Sequence, residues 1–160
     1  DVAGTVISVY WFLMLVGRLL GSLVAGKVSS KAMLTTMSSV ALAFVLCIIM
    51  LPGTMVNMPI VNVAIPLNFL FVPLCGLCTS IMWGSIFNLA VEGIGKYTPL
   101  ASGIFMTLVC GGGILPFVQN LVGDWTSITA SYWVVFIGFA YMLFYALVGC
   151  KNVNKDIKVD

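Results

Sequence analysis

The chain has 160 residues, of which 61% are hydrophobic and only 8% are charged, and its mean hydropathy is +1.16. So few charged side chains cannot cover a soluble globule, and we expect lipid to be the outer solvent of the protein. A formal net charge of +2 without a basic stripe also excludes a nucleic-acid partner. The first residue is Asp1 rather than methionine, so we expect the chain to be a piece of a longer protein.

Residues that carry enzyme chemistry are scarce. The sequence has no histidine, no G-x-x-x-x-G-K-[ST] loop, and no paired carboxylates, since Glu92 and Asp124 are expected at opposite membrane faces. The C-x-x-C of Cys75 and Cys78 lacks the further ligands that a structural zinc ion needs. We therefore predict that the protein is not an enzyme and has no catalytic residue, no metal site and no cofactor. We expect free thiols at all five cysteines: Cys47, Cys75, Cys78, Cys110 and Cys150.

Long apolar segments separated by short polar clusters dominate the chain. The first segment is interrupted only by Arg18, and the second stops at the helix-breaking pair Pro52–Gly53. A helix of about 20 residues crosses a hydrocarbon core of about 30 Å. We therefore predict an all-α membrane protein with five transmembrane helices, followed by a short polar tail. The helices are predicted at about residues 5–26, 32–51, 65–91, 99–123 and 128–150, and the tail at 151–160.

The lysines all fall in alternate loops, which lie on one side of the membrane in a helical bundle. The loops on the other side, Pro52–Ala64 and Asp124–Thr129, contain no lysine or arginine. The positive-inside rule predicts that the lysine-bearing side, including the C-terminal tail, is cytoplasmic. The lysines are Lys27, Lys31, Lys96, Lys151, Lys155 and Lys158.

Arg18 is the one charged residue well inside an apolar segment. A charge at that depth is costly unless it reaches the membrane surface or finds a partner. One interpretation is that its side chain extends toward the cytoplasm. The other, which we favour, is an ion pair with Glu92 at the inner end of the third helix. Such a pair can select one helix arrangement over another, as a gate requires.

Small and polar residues recur at helical spacing. Gly17 and Gly21 form a G-x-x-x-G pattern, which lets helix backbones approach closely in lipid. On the third helix small or polar residues recur every four positions, and this stripe is expected to face the protein interior or a water-filled cavity. Its members are Ser80, Gly84, Asn88 and Glu92.

The fourth segment combines glycines and a proline with two amides. Gly111–Gly113 precede Pro116, which favours a kink, and Gln119 and Asn120 follow one turn later. The amides and the polar stripe of the third helix have two possible roles. They either join helices by hydrogen bonds or contact a polar solute.

Several motifs resemble a known family. Gly17–Ser22, with Tyr10–Trp11 before it and Lys27 and Lys31 after it, resembles the eighth helix and following loop of major facilitator superfamily sugar permeases. Three further stretches resemble the fucose and glucose/galactose proton symporters within that superfamily. They are Ser80–Phe87, Gly93–Thr98 and Gly111–Ile114.

This resemblance implies that the segments are helices eight to twelve of a twelve-helix permease. The N-terminal half and the seventh helix would then precede them and act as partners of this chain. The acidic residues that couple sugar to protons in that family lie mainly in the N-terminal half, so no proton carrier is assigned here. The chain departs from the family at three positions: Ala25 replaces a loop aspartate, Gly84 a proline and Thr79 an asparagine.

The function implied is secondary active transport of a neutral monosaccharide of the fucose, galactose or glucose type. We expect proton-coupled symport by alternating access across the cytoplasmic (inner) membrane, with the proton gradient as energy source. The rival hypothesis is a permease-derived protein that does not transport, either a membrane sensor or a structural subunit.

Sugar would bind near the midplane between the two halves. There Trp83 could stack on the sugar ring, although a tryptophan that packs or faces lipid remains the alternative, and amides could bind hydroxyl groups. The candidate substrate-binding residues are Thr79, Ser80, Trp83, Asn88, Thr107, Gln119 and Asn120. Arg18 and Glu92 are the candidate gating residues.

Overall fold

Helices make up most of the protein, whose computed structural model describes residues 2–58 and 63–151. In that part of the chain five helical stretches are long and apolar enough to cross a membrane, which confirms the predicted all-α membrane fold. The helices are α1 (Val2–Ala25), α2 (Ser30–Met50), α3 (Phe71–Val91), α4 (Thr98–Leu108), α5 (Gly111–Trp125) and α6 (Ile128–Phe144).

Polar caps and glycines mark several helix ends. The Ser29 hydroxyl accepts a hydrogen bond from the Ala32 amide at 3.3 Å, and the Ser127 hydroxyl accepts one from the Ala130 amide at 3.1 Å. These side chains satisfy amide groups that the first turns of α2 and α6 leave without a helical partner. Just beyond α3 the chain turns at Gly93, whose φ of +78° is a conformation that glycine adopts without strain.

The core lies between α2, α3 and α6. On α2 the buried residues Leu34, Ala41, Val45 and Ile48 are spaced by seven, four and three positions, so they form one face of the helix. They pack against Cys75, Cys78 and Met82 of α3 and Phe139 of α6. Helix α1 packs on α3, and α5 packs on α6. Helix α3 therefore lies at the centre of the bundle.

The loop between α2 and α3 contains a short hairpin that the sequence did not reveal. Strands β1 (Met55–Met58) and β2 (Val63–Pro66) pair antiparallel, with Val56 opposite Ile65. A 3₁₀ turn, Leu67–Leu70, then leads into α3. The predicted start of the third helix at about residue 65 therefore falls in β2. Residues 59–62 of the predicted extracytoplasmic loop lie outside the described part of the chain.

The fourth predicted helix is not continuous. It consists of α4 and α5, separated by a turn at Val109–Cys110 within the single apolar span Gly95–Trp125. Glycine has the lowest helix propensity after proline, and Gly111–Gly113 follow the turn directly. Pro116, which was expected to add to a kink, lies inside α5.

The last predicted helix ends in a different geometry. Helix α6 stops at Phe144, and a π-helical turn continues to Gly149. All five cysteines have free thiols. Residues 152–160 of the predicted tail lie outside the described residues. The cytoplasmic orientation and the numbering as helices eight to twelve stay predictions.

Candidate functional site

Helices α1 and α3 approach each other closely through small residues. A Cβ atom on Gly17 would lie 2.8 Å from the Leu77 carbonyl oxygen, and one on Gly76 would lie 2.8 Å from the Tyr10 ring. Between these two contacts the Ser80 hydroxyl donates a hydrogen bond to the Met14 carbonyl at 2.7 Å. The G-x-x-x-G pattern of α1 therefore serves the close packing expected of it.

A cleft of about 280 Å³ opens beside this interface, between α1, the start of α2 and α3. Its volume is near the lower end of the range for ligand pockets, roughly 300 Å³. Three members of the predicted polar stripe line it, Ser80, Gly84 and Asn88, together with Trp83 and Arg18. The fourth member of the stripe, Glu92, is exposed and does not line the cleft. The interpretation that the stripe faces a cavity therefore agrees with the structure for three of its four residues.

Serine hydroxyls supply much of the remaining polar lining. Ser22, Ser30 and Ser85 line the cleft and were absent from the predicted site. Helical spacing could have identified Ser22, because it lies four residues after Arg18 on the same face of α1. Ser22 donates to the Leu19 carbonyl at 2.7 Å, and Ser85 donates to the Ile81 carbonyl at 3.1 Å. Like the Ser80 hydroxyl, these hydroxyls donate their hydrogen bond to backbone carbonyls, so their oxygens keep acceptor lone pairs; Ser80 and Ser85 are buried in the cleft wall.

Arg18, Trp83 and Asn88 are the cleft residues that carry N–H donors on their side chains, and all three are exposed. An arginine guanidinium presents five N–H donors and no acceptor, and an asparagine amide presents two donors and one acceptor. The cleft therefore combines donors from Arg18 and Asn88 with acceptor oxygens from serines. Such a set matches a solute whose hydroxyl groups both donate and accept hydrogen bonds.

Trp83 forms part of the cleft wall and is 39% exposed. Its ring meets Phe105 of α4 edge to face, with ring centroids 5.4 Å apart, and Phe105 also contacts Phe87 at 5.5 Å. The tryptophan is therefore fixed by aromatic packing while part of its surface stays open. The two roles considered for it, packing and contact with a solute, are compatible in this geometry.

The predicted pair of Arg18 and Glu92 is not formed. Both residues belong to the described part of the chain, and the structure shows no ion pair between them. Arg18 instead shares the cleft with Asn88, which lies one turn of α3 before Glu92. The gating role of the two residues stays a prediction.

The other candidate residues lie apart from the cleft. The Thr79 hydroxyl donates to the Cys75 and Gly76 carbonyls, each at 3.0 Å, and lies 3.5 Å from the Tyr10 hydroxyl. Thr79 therefore belongs to the α1–α3 interface. Thr107 is exposed on α4 and donates to the Gly103 carbonyl at 3.0 Å.

The two amides of α5 also lie away from Trp83. Gln119 lines a separate, largely apolar cavity of about 350 Å³ between α5 and α6, which also contains Pro116 and Gly138. Asn120 is exposed. The described residues thus bring together Ser80, Trp83 and Asn88, but not Thr79, Thr107, Gln119 or Asn120.

The five spans of the described residues that are long and apolar enough to cross a membrane define the class of protein, a multi-pass integral membrane protein. The chain is similar to glucose/galactose transporters from two strains of Brucella abortus, each 27% identical over 146 residues. It is also similar to a Helicobacter pylori protein provisionally named a glucose/galactose transporter, at 29% identity over 152 residues. These alignments cover 91% and 92% of this chain but only 32% and 34% of the relatives. The chain therefore spans about a third of their length.

These relatives confirm the resemblance to sugar permeases of the major facilitator type. They are named as transporters and not as enzymes. No family model and no solved structure matches the chain.

Proposed function

We propose that the full-length protein transports a neutral monosaccharide of the glucose, galactose or fucose type. The observation that carries the proposal is the cleft between α1 and α3, where donors, acceptor oxygens and an aromatic ring converge. The names of the relatives support the same substrate class. In this proposal Asn88 and Arg18 donate to sugar hydroxyls, the Ser80 and Ser85 oxygens accept from them, and Trp83 contacts the apolar face of the ring.

Because the positively charged Arg18 lines the cleft, an anionic solute has to be tested against a neutral sugar. The structure shows no ion pair between Arg18 and Glu92. An unpaired guanidinium can bind a carboxylate as well as a hydroxyl group. The preference for a neutral sugar therefore depends on the relatives and on the hydroxyl-rich lining.

We expect cells that express the full-length protein to accumulate labelled glucose, galactose or fucose. An excess of the unlabelled sugar should compete, whereas glucuronate, which differs from glucose by a carboxylate, should compete at least about tenfold less well. Strong competition by glucuronate would overturn the assignment of a neutral substrate. Absence of uptake of every neutral sugar, with the protein present at the membrane, would favour the sensor or structural subunit.

The proposed energy source is a proton gradient, with symport by alternating access and no cofactor. The carriers of the proton are expected in the missing N-terminal half, which would pack against this chain as its partner. The proposed location is the cytoplasmic membrane with the C-terminus inside, on the basis of the lysine distribution. Collapse of the proton gradient by an uncoupler should abolish accumulation of sugar, and unchanged accumulation would exclude proton coupling.

We also propose that Arg18 pairs with Glu92 when the cytoplasmic end of the cleft closes. Their location supports this, since Asn88 of the cleft lies one turn before Glu92 and both charged side chains are exposed here. A double-mutant cycle with Arg18→Gln and Glu92→Gln, measured on sugar uptake, should show a coupling of about 0.5–3 kcal/mol. Additive losses would show that the two residues act independently.

A further inference from the structure

The interruption between α4 and α5 lies within the membrane-spanning part of the chain. The whole stretch Gly95–Trp125 has the length and hydropathy of one span. At 1.5 Å per residue, Val109 lies about 16 Å from Thr98 and about 24 Å from Trp125. The turn at Val109–Cys110 is therefore at the depth of the hydrocarbon core.

The hydrogen bonds around this turn follow a 3₁₀ pattern rather than an α pattern. The amides of Val109 and Cys110 donate to the carbonyls of Met106 and Thr107, each at 3.3 Å. Two residues later Gly112 donates to the Val109 carbonyl at 2.8 Å. In a continuous α-helix, Val109 and Gly112 would donate to the carbonyls of Phe105 and Leu108. At membrane depth the Val109 and Gly112 amides therefore donate to the Met106 and Val109 carbonyls instead.

A local 3₁₀ turn in a membrane helix gives the redirected amides new partners, but it frees a carbonyl from its α-helical donor. Such a carbonyl is tolerated where it is covered by protein or lines a water-filled cavity, because free carbonyls in hydrocarbon cost several kcal/mol each. In this chain Leu108, Val109 and Cys110 are exposed. A Cβ atom on Gly111, Gly112 or Gly113 would meet nothing within 4 Å. The described residues therefore leave this backbone open.

The open backbone is adjacent to the cleft. Phe105, whose carbonyl has lost its usual donor, contacts the ring of Trp83 at 5.4 Å, and Trp83 lines the cleft. Leu108 follows Phe105 by three residues, so its carbonyl lies within one turn of the same contact. The interrupted segment thus contacts the wall of the cleft through the Trp83–Phe105 pair.

We propose that the segment Phe105–Gly111 lines the aqueous solute pathway and forms a second subsite, in which the Phe105 and Leu108 carbonyl oxygens accept hydrogen bonds from solute hydroxyls. The chemistry is suited to a polyol, since carbonyl oxygens are acceptors and sugar hydroxyls are donors. The identity of the solute as a sugar depends on the proposed function, whereas the aqueous location of the segment does not.

Cys110 supplies a reporter for the aqueous location. The full-length protein, reconstituted in lipid nanodiscs, is treated with a charged, water-soluble methanethiosulfonate, with Cys110→Ser to identify the signal of this cysteine. We expect Cys110 to react, and a saturating concentration of the transported sugar to slow the reaction at least about fivefold. A Cys110 that reacts only with a lipid-soluble maleimide would overturn the proposal. So would a rate that sugar does not change in a protein that transports it.

A helix-repair variant tests the role of the carbonyl oxygens. Replacement of Gly111, Gly112 and Gly113 by alanine favours a continuous helix and returns donors to the Phe105 and Leu108 carbonyls. We expect the KM for sugar to rise about tenfold, as loss of solute hydrogen bonds predicts. Gly103→Ala is the matched control, because it lies in α4 and its Cβ would also meet nothing within 4 Å. Equal KM values for the two variants would remove the carbonyls from the site.

The two possible failures are distinguishable. If the wild-type protein transports no neutral sugar but Cys110 reacts with the water-soluble reagent, the proposed substrate is wrong and the aqueous location holds. If sugar is transported and Cys110 does not react with that reagent, the proposed function stands and the second subsite does not.

Discussion

Replacement of Gly17 by leucine is expected to force α1 away from α3 and to lower the free energy of unfolding by about 2–3 kcal/mol. The Cβ atom alone would lie 2.8 Å from the Leu77 carbonyl oxygen and 3.1 Å from the Ser80 Cβ. The first of these atoms is backbone, which cannot move aside without displacing α3. The hydrogen bond from Ser80 to Met14 would be lost with the close approach, and the cleft would lose one wall.

Gly4→Leu is the matched control for this substitution. Gly4 belongs to the same helix, and its Cβ would meet nothing within 4 Å. Thermal unfolding of the full-length protein in detergent should show a lower midpoint for Gly17→Leu and an almost unchanged one for Gly4→Leu. Equal midpoints would mean that the α1–α3 contact does not contribute to stability.

Trp83→Ala is expected to raise the KM for sugar about tenfold, since an aromatic platform contributes on the order of 1 kcal/mol or more to such a contact. The ring is 39% exposed in the cleft wall and is held there by Phe105. Trp83→Phe keeps an aromatic face and should recover part of the affinity. The measurement is the concentration dependence of sugar uptake, corrected for the amount of protein at the membrane.

Trp133→Ala provides the control for loss of a partly exposed tryptophan. Trp133 of α6 is 49% exposed, contacts Phe136 with centroids 5.3 Å apart, and does not line the cleft. Its replacement should leave the KM unchanged. If both variants, or neither, alter the KM, Trp83 has no specific role in the site.

The membrane spans could be predicted from the sequence because lipid imposes a simple rule. A helix of about 20 apolar residues crosses the hydrocarbon core with all its backbone groups paired, and the described part of the chain contains five such stretches. The close contact at Gly17 was predictable for a related reason. Lipid tails are as apolar as the helix surfaces, so burial of apolar area does not drive helices together in a membrane. Small residues four positions apart are therefore the main sequence signal of tight helix packing there.

A kink in the fourth span was expected from Gly111–Gly113 and Pro116, but the position of the interruption and the hairpin before α3 were beyond the sequence pattern. Hydropathy is as high across Val109–Cys110 as elsewhere in the span, so it carries no information about where the hydrogen-bond pattern changes. Gly111–Gly113 predict weakness nearby, but the turn begins before them. The hairpin depends on the pairing of β1 with β2. The sequence between the two strands contains no Asn-Gly or Asp-Gly pair, which is the usual signal of a hairpin turn.

Part of the candidate site could be predicted from the sequence, because helical periodicity shows which residues share a face. Helical periodicity placed Ser80, Gly84 and Asn88 on one face, and the structure brings that face to the cleft. Periodicity within one helix cannot say which neighbouring helix that face meets. Thr79 and Gln119 were assigned to the site from their depth along the helices, but the Thr79 hydroxyl lies toward Tyr10 and Gln119 lies between α5 and α6.

Protection of a cysteine at position 88 by sugar tests most directly whether the α1–α3 cleft is the binding site. The Asn88 side chain is exposed in the cleft, so Asn88→Cys should react with a water-soluble thiol reagent in the full-length protein. The account predicts that saturating glucose or galactose slows this reaction at least about fivefold and leaves a cysteine at Gly4, outside the cleft, unaffected. A reaction at position 88 that proceeds at the same rate with and without sugar, in a variant that still transports sugar, would contradict it.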